Sequence, residues 1–440
     1  MNQDNQNAFC ATGTIVPATG RRLSLPAKGV VLGLLAALAA CSAPVHAEDA
    51  GKSPLSISGD PVARGEYLTR AADCQPCHTA PGGKPFAGGR AFKIPGGTIY
   101  TPNITPDEST GIGKWTDDQF VNALHNGLDE HGRNMYPAFP YTSYTQLATD
   151  DVLAIKAYLF SLEPVPNRRP RADVMWPVNQ RSLLAIWNKL FFEPKRFQAD
   201  TSKSDDWNRG KYLVDALGHC GECHTPRNIF MATKSGKPLS GGEAEGWTAY
   251  NISSDKVSGL GGWSDDEIVT YLKTGIAHGK SWANGPMGEV VDASLKYLSD
   301  DDLKAIVTYL HDVPPTRGKE EKPRYAWGGD ERTTVDTDSE GARLYTFYCS
   351  GCHGADGKTS AKLYPTMVNQ GTVGSNPAQN IIMVILHGAR RNDNPNVSMP
   401  SYGAAFSDEQ VATLTNYVTK RFGDPKASVS AGDVASARKQ

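Results

Sequence analysis

The chain has 440 residues, which is too long for one small core and fits two to four domains. Hydrophobic residues make up 39% of it, so a wholly disordered chain is excluded. The formal net charge of −2 argues against the positive electrostatic footprint of a nucleic-acid-binding protein.

The first element, residues 1–47, is predicted to be a leader for export. Its apolar run at positions 29–40 follows basic residues and is too short to cross a bilayer, as is typical of a signal peptide. One expected outcome is cleavage after Ala47. The other is a lipoprotein, since the letters LAAC resemble a lipobox that ends at Cys41. No later run approaches the ~20 apolar residues of a membrane-spanning helix.

The motif Cys-x-x-Cys-His then occurs three times, as CQPCH, CGECH and CSGCH, beginning at Cys74, Cys220 and Cys349. The two cysteines outside the motifs, Cys10 and Cys41, lie in the leader, so no cysteine of the exported body remains for another disulfide. The adjacent His and the lack of a βαβ pattern argue against a thioredoxin-like pair. A zinc site would need a second ligand pair at a defined spacing, and the sequence contains none.

Covalent haem attachment accounts for all three motifs. Two thiols one helical turn apart reach the two vinyl groups of one porphyrin, and the next residue places an imidazole under the iron. We therefore expect three covalently bound haem c groups. The predicted attachment residues are Cys74, Cys77, Cys220, Cys223, Cys349 and Cys352. The predicted proximal iron ligands are His78, His224 and His353.

The motifs belong to a longer repeat. A short helical segment precedes each motif, and the first two copies share a helix capped at Thr116 or Ser264 that ends at Gly127 or Gly275. Each copy closes with another capped helix with apolar residues at i, i+3 and i+4. These closing helices begin at Thr149, Ser299 and Ser407.

The predicted fold class is all-α, with three tandem class I cytochrome c-like domains, each around one covalently attached haem. The domains are expected at residues 55–165, 201–315 and 335–425, with a flexible tail at 426–440. An aromatic-rich linker, 166–200, joins the first two domains. It is expected either to pack across the seam between these domains or to dock on a membrane interface or a partner subunit.

An electron carrier of this type needs a second axial ligand on each iron, and Met is the usual residue. Met287 and Met399 lie between the motif and the closing helix of their domains, whereas Met231 is too near His224. In the third domain Met367 and Met383 are weaker candidates. In the first domain Met135 is the expected ligand, and His125 and His131 are the alternatives.

The segments RGEYLTRAADCQPCHT, RGKYLVDALGHCGECHTPRN and GGWSDDEIVTYLKTG carry a family resemblance. Over residues 60 to 425 the chain resembles the triheme cytochrome c subunits of bacterial membrane-bound dehydrogenases of the alcohol, gluconate and sorbitol type. One departure is that the family has Met in a Y-P-A-M-P-Y segment where this chain has Phe139. Met135 lies four residues earlier, so the first iron has a shifted Met ligand, another ligand or an open position.

The resemblance implies an electron-transfer subunit with no substrate-oxidising site of its own. Its expected partners are a flavoprotein or quinoprotein dehydrogenase that oxidises a sugar, sugar acid or alcohol, ubiquinone or another downstream acceptor, and the membrane surface. The expected location is the periplasmic face of the inner membrane, with peripheral or lipid-anchored attachment. Two alternatives stay open: a peroxidase-like enzyme with an open site on the first haem, and a cytochrome c subunit of a respiratory oxidase.

Overall fold

A computed structural model describes residues 51–55, 57, 59–327, 338–359, 364–390 and 398–440. The predicted leader, including Cys41 and the cleavage position after Ala47, lies outside the described residues. The described part is largely helical, with a few short antiparallel strand pairs. Within it, no helix is long and apolar enough to cross a membrane.

The first repeat, residues 55–165, has five helices and a hairpin. Its elements are α1 (Pro61–Ala71), α2 (Cys74–Cys77), β1 (Ala91–Ile94), β2 (Gly97–Tyr100), α3 (Asp117–Asn126), α4 (Tyr141–Tyr144) and α5 (Thr149–Ser161). The segment after it contributes β3 (Asp173–Val174), which pairs with β2, and helix α6 (Arg181–Phe191). The hairpin therefore ties the start of the 166–200 segment to the first repeat.

The second repeat, residues 201–315, follows the same plan. Its elements are α7 (Asp205–Lys211), a π-helical turn (Tyr212–Leu217), α8 (Gly221–His224), β4 (Gly242–Ala244), β5 (Trp247–Ala249), α9 (Asp265–Thr274), β6 (Ile276–Ala277), β7 (Ser281–Trp282), α10 (Gly285–Ala293), a 3₁₀ turn (Leu295–Tyr297) and α11 (Asp300–Asp312).

The third repeat, residues 335–425, is shorter. Its described elements, together with the chain end, are α12 (Glu340–Tyr348), α13 (Ser350–His353), α14 (Gln379–His387), β8 (Ala389–Arg390), β9 (Ser398–Met399), α15 (Asp408–Phe422) and α16 (Ala431–Ala437).

In each repeat the helix before the motif crosses the closing helix at close range. A Cβ added at Gly65 of α1 would lie 1.9 Å from the carbonyl oxygen of Ala154 in α5, and one at Gly210 of α7 would lie 1.9 Å from that of Ala305 in α11. In the third repeat the closest atom to such a Cβ at Gly341 is Cβ of Tyr417, at 2.7 Å. Glycine at these places lets the two helix backbones meet and brings the motif beneath the closing helix.

Most of the predicted helix ends are confirmed. Thr116 and Ser264 cap α3 and α9 with reciprocal capping boxes, and both helices end at a glycine with positive φ. Ser299 and Ser407 cap α11 and α15. The predicted cap at Thr149 is wrong, because Thr149 is already the first residue of α5 and the cap position is one residue earlier.

The residue at the cap of α5 is Ala148, which has no side chain to offer. Its backbone N–H instead donates to the hydroxyl of Tyr212, 2.9 Å away in the second repeat. The start of α11 makes the same contact between repeats, since the N–H of its cap residue Ser299 donates to the hydroxyl of Tyr67 at 3.0 Å.

The first and second repeats share one continuous apolar core and a reciprocal polar seam. Tyr212 donates to Asp151 at 2.7 Å, and Tyr67 donates in the same way to Asp302. Each aspartate also pairs with an arginine of its own repeat, Arg64 for Asp151 and Arg209 for Asp302. The seam therefore relates the two repeats by an approximate two-fold exchange.

The third repeat has its own core, formed by buried residues of α12, α14, α15 and α16. Its contact with the second repeat runs through Trp247, which packs against this core, and through Asn380, whose side-chain amide binds both backbone groups of Thr248. The second repeat thus lies against both of the others.

The chain end, predicted to be a flexible tail at residues 426–440, is instead folded against the third repeat. Residues 431–437 form α16, capped by Ser430, and Val434 is fully buried against the third core. Apolar residues at Val429, Val434 and Ala437 supply a packed face that composition alone did not reveal.

Candidate haem sites

In each of the three motif histidines, ring nitrogen Nδ1 lies within hydrogen-bond distance of a backbone carbonyl. Nδ1 of His78 lies 2.9 Å from the carbonyl oxygen of Pro102, Nδ1 of His224 lies 2.6 Å from that of Tyr250, and Nδ1 of His353 lies 2.9 Å from that of Pro365. A proton on Nδ1 that is donated to a carbonyl leaves the lone pair of Nε2 free for a metal. The same orientation recurs in three separate places.

Burial keeps these imidazoles neutral. It lowers the pKa of His78 to about 4, and it lowers the pKa of His224 and His353 below the usual range. A neutral ring is the form that binds iron, so the environment suits an axial ligand.

The motif thiols lie on one-turn helices beside these rings, and none of the six forms a disulfide. Burial raises the pKa of Cys77 and Cys220 to about 12 and that of Cys223 to about 11. Thiols held in the protonated form are poor zinc ligands and poor redox nucleophiles. The donor set therefore fits thioether attachment of a porphyrin better than either alternative.

A cavity in the third repeat brings together the residues predicted to bind its haem. Cys349, Cys352, His353 and Met399 all line it, and its remaining wall is mainly apolar. One side of this cavity is formed by the second repeat, with Trp282, Ala283 and Val291 among its residues. A macrocycle seated there would be covered by two repeats.

Met399 and Met367 both line this cavity. Met367 follows Pro365 by two residues, and the carbonyl of Pro365 is bound to the ring of His353. Met367 therefore lies close in sequence to the carbonyl that orients His353. Met399 lies on β9, paired with Ala389. Met383 is 2% exposed and belongs to the core of the repeat.

In the second repeat Met287 lies in the first turn of α10 and packs against the shared core. The first repeat has the same loop in the same register. The N–H of Met135 donates to the carbonyl of Gly127 at 2.7 Å, as the N–H of Ala283 donates to that of Gly275 at 2.7 Å.

This register decides which residue of the first repeat corresponds to Met287. Met287 follows Gly275 by twelve positions, and twelve positions after Gly127 stands Phe139. Phe139 is half-buried, and its ring meets that of Tyr144 edge-on at 5.5 Å. Met135 corresponds instead to Ala283.

The two histidine alternatives are placed differently. His125 is buried within α3, and its Nε2 lies 3.0 Å from the carbonyl oxygen of Leu147. His131 is exposed, with Nε2 3.6 Å from a carboxylate oxygen of Glu130. One ring is thus engaged with the backbone of its own repeat and the other faces solvent.

Comparison with known proteins identifies the family. The cytochrome c family model matches residues 62–163 and 339–421. The chain is 39% identical to the fructose dehydrogenase cytochrome subunit of Gluconobacter japonicus, over 90% of this chain and 86% of that protein. It is 38% identical to the gluconate 2-dehydrogenase cytochrome c subunit of Pantoea cypripedii, over 86% and 89%. The chain belongs to the family of dehydrogenase cytochrome c subunits.

A third relative, the cytochrome c subunit of the quinone-type alcohol dehydrogenase of Gluconobacter oxydans, is 36% identical over 89% of this chain and 84% of that protein. The family resemblance expected from the motifs is therefore confirmed, and with it the binding of covalent haem c by this cytochrome subunit.

In the cytochrome subunit the first two motifs face each other. The hydroxyl of Thr142 in the first repeat donates at 2.9 Å to the carboxylate of Glu222, which lies within the second motif. Tyr144 of the first repeat donates to the carbonyl of Ala72 at 2.8 Å, and its ring meets that of His219 at 5.5 Å. The attachment edges of two haems would therefore be neighbours.

Sequence reasoning missed the groups of the cytochrome subunit that hold the motif residues in position. The carbonyls of Pro102, Tyr250 and Pro365 orient the histidines, and a backbone group has no residue signature. Arg90 was missed as well: its guanidinium binds the carbonyl of Pro76 beside the first motif and the carboxylate of Glu289 in the second repeat. Its partners are remote in sequence, so no local pattern could have indicated it.

Proposed function

We propose that this cytochrome subunit carries three covalent haem c groups in three tandem domains and transfers electrons from a dehydrogenase catalytic subunit towards ubiquinone. The observation that carries the proposal is the threefold recurrence of the motif turn with Nδ1 of its histidine on a backbone carbonyl. The haems, when bound, supply the one-electron chemistry. The relatives do not favour the haem-enzyme or the oxidase-subunit alternative.

The haem of the second repeat needs its own support, because this repeat lies outside the ranges that the family model matches. His224 has the same carbonyl partner as the other two histidines, and the helix crossing at Gly210 repeats the crossing at Gly65. These likenesses support a haem at Cys220 and Cys223 with His224 as ligand.

The proposed distal ligands are Met287, Met399 and Met135. Met399 is preferred to Met383 because it lines the cavity that holds His353, whereas Met383 is buried in the core. It is preferred to Met367 because Met367 follows by two residues Pro365, whose carbonyl already binds the ring of His353. Met287 is proposed in the second repeat because it lies in the first turn of α10 and packs against the core shared with the first repeat. Met135 is proposed for the first iron because both histidine alternatives have other surroundings, although it would have to reach the iron from four residues before Phe139.

The second haem is proposed to stand between the other two in the path of the electrons. The facing motifs of the first and second repeats support direct exchange between their haems. The second repeat also forms one side of the cavity around His353. At the far end, Cys352 is exposed beside Phe347 and Tyr348, and this edge is a candidate for exchange with a partner protein.

The proposed electron donor is a flavoprotein or quinoprotein that oxidises a sugar, a sugar acid or an alcohol. This range follows the names of the relatives, which are subunits of fructose, gluconate and alcohol dehydrogenases. The proposed location is the periplasmic face of the inner membrane, with peripheral or lipid-anchored attachment.

The test is a haem count by motif. The intact mass of the mature chain should exceed its polypeptide mass by three haem groups, and each double variant, such as Cys349→Ala/Cys352→Ala, should lose one. In parallel, the chain co-expressed with its dehydrogenase should reduce a ubiquinone analogue when the dehydrogenase substrate is added. A double variant that keeps the full haem mass, or a wild-type complex that reduces no quinone, would contradict the corresponding part of the proposal.

A further inference from the structure

Helix α6 binds the rest of the protein through polar side chains and exposes its apolar side chains to solvent. Its polar residues hold it to the protein: Asn188 accepts from the hydroxyl of Tyr141 at 2.6 Å and donates to Asn134 at 3.1 Å, and Arg181 donates to the carbonyl of Asn134 at 2.7 Å. Its apolar residues Leu183 and Ile186, with Leu190 one turn further, form an exposed stripe at helical spacing.

Two neighbouring segments extend this stripe. Met175 and Trp176, just before α6, are 67% and 75% exposed. On the other side, a loop of the second repeat presents Ile229, Phe230 and Met231, and Ile229 is 91% exposed. We call these three segments together the apolar face; its residues are Met175, Trp176, Leu183, Ile186, Leu190, Ile229, Phe230 and Met231.

Helix α6 and the Phe230 loop are held together by specific contacts. The indole N–H of Trp187 donates to the carbonyl of Phe230 at 2.8 Å, and the rings of Phe191 and Phe230 lie 5.7 Å apart. Arg227 braces the loop through the carbonyl of Met231 at 2.7 Å and the carboxylate of Glu222 at 2.6 Å. The exposed side chains are thus presented on a supported surface.

Most of the exposed large apolar side chains in the described part of the chain belong to the apolar face. Among the residues that the structure describes, twelve large apolar side chains are exposed, and eight of them belong to this face. A cluster of this size on a soluble surface marks a site for a protein or a membrane. The charge around it decides between the two.

The segments that carry the face are basic although the whole chain is acidic. Residues 166–200 contain seven basic and three acidic residues, a difference of +4, and residues 225–237 contain three basic residues and no acidic one. The chain has a formal net charge of −2. Lys189 and Lys195 stand exposed on and just after α6. An apolar stripe with Trp and flanking Lys and Arg is the pattern of helices that lie in the headgroup region of anionic bilayers.

We propose that the apolar face docks on the surface of an anionic lipid bilayer, with α6 lying in the plane of the membrane. This inference deepens the proposed peripheral location and rests on it. It also gives the first two haems a defined orientation, because α6 contacts the loop that holds Met135 and the Phe230 loop follows directly after His224.

The test uses the full-length chain with its haems and Cys41→Ala, so that no acyl anchor contributes. Vesicles of phosphatidylcholine with and without phosphatidylglycerol are sedimented, and the bound fraction is read from haem absorbance. We expect stronger binding to the anionic vesicles, weakened by salt. Leu183→Gln/Ile186→Gln/Leu190→Gln should lower the partition coefficient by at least about tenfold, since three side chains leave the bilayer.

The matched control is Val62→Gln/Tyr297→Gln, two exposed apolar residues outside the apolar face, which should keep wild-type binding. Leu190→Gln alone, at a position 68% exposed, serves if the triple variant does not fold. Wild-type binding by both α6 variants overturns the proposal, and so does an equal loss in the control. Loss of dehydrogenase co-purification with unchanged vesicle binding also overturns it, because the face would then bind protein. Haem content and dehydrogenase-driven reduction of a soluble acceptor report separately on the proposed function.

Discussion

Single side chains decide what each proposed haem pocket can do, and the proposed first and second pockets differ at one matched position. Phe139 stands where the second repeat has Met287, while Met135 stands where it has Ala283. Phenylalanine cannot ligate iron, so a Met ligand for the first iron would have to come from elsewhere on the loop. The paired loops provide a direct way to test which residue supplies it.

We predict that Met135→Ala changes the absorption and magnetic spectra of one haem only. Adding Phe139→Met to this variant should restore the spectra, because the new sulfur would stand at the register of Met287. Met287→Ala is the matched control for a second haem. Spectra that stay unchanged in Met135→Ala would show that the first iron takes another ligand.

A second prediction at this scale concerns pH. Burial lowers the pKa of His125 to about 4, below its value of ~6.5 in an unfolded chain. Between these values the unfolded state binds more protons, so stability falls as the pH is lowered from ~6.5 towards 4. The full effect is on the order of 3 kcal/mol.

His125→Gln keeps a donor for the carbonyl of Leu147 and removes the titration. We expect this variant to lose less stability on acidification than the wild type, as measured by urea unfolding at about pH 7 and pH 4.5. An exposed histidine, His131, provides the control substitution His131→Gln, which should leave the acid dependence as it is. An equal acid dependence in all three proteins would show that protonation of His125 does not cause the loss of stability at low pH.

At the scale of elements, the crossing of the first and last helices of a repeat positions its motif. The backbones approach so closely that a Cβ at Gly65 or Gly210 would overlap a carbonyl oxygen at 1.9 Å. Because the overlapping atom belongs to the backbone, no side-chain movement could relieve the overlap. The two helices would have to move apart. The crossing therefore depends on glycine for space, not for an unusual backbone conformation.

We predict that Gly65→Ala and Gly210→Ala each lower the free energy of unfolding by about 3 kcal/mol through overpacking. Gly236→Ala is the control, since an added Cβ there meets no atom within 4 Å. Chemical denaturation of the haem-loaded proteins measures the difference. Wild-type stability in both crossing variants would contradict this account of the packing.

At the scale of the whole molecule, the seam between the first two repeats is built from the same groups twice. Tyr67 and Tyr212 each reach across to an aspartate that an arginine of the other repeat already binds. Burial raises the pKa of Tyr67 to about 12, so its hydroxyl keeps the proton that it donates. The seam joins the two repeats that carry the first two motifs.

We predict that Tyr67→Phe and Tyr212→Phe each cost about 1.5–3 kcal/mol of stability, because each removes a hydrogen bond to a charged group. Tyr297→Phe, on an exposed ring, should cost far less. Thermal unfolding followed by haem absorbance measures these effects, and the double variant should slow electron exchange between the first two haems. Equal stability of all three single variants would show that the two tyrosine–aspartate hydrogen bonds of the seam do not stabilise the protein.

Much of this protein could be predicted from its sequence, because the decisive signals are local. Two thiols and a histidine within five residues specify covalent haem attachment, and Ser264, Ser299 and Gly275 mark helix ends through contacts with their own neighbours. Only the tertiary structure revealed the carbonyls bound to the histidines, the hydrogen bond from Ala148 at the start of α5 to Tyr212, the packed chain end and the outward face of α6. Each of these depends on groups brought together from distant parts of the chain, and an amphipathic pattern like that of α6 does not say which side faces the protein.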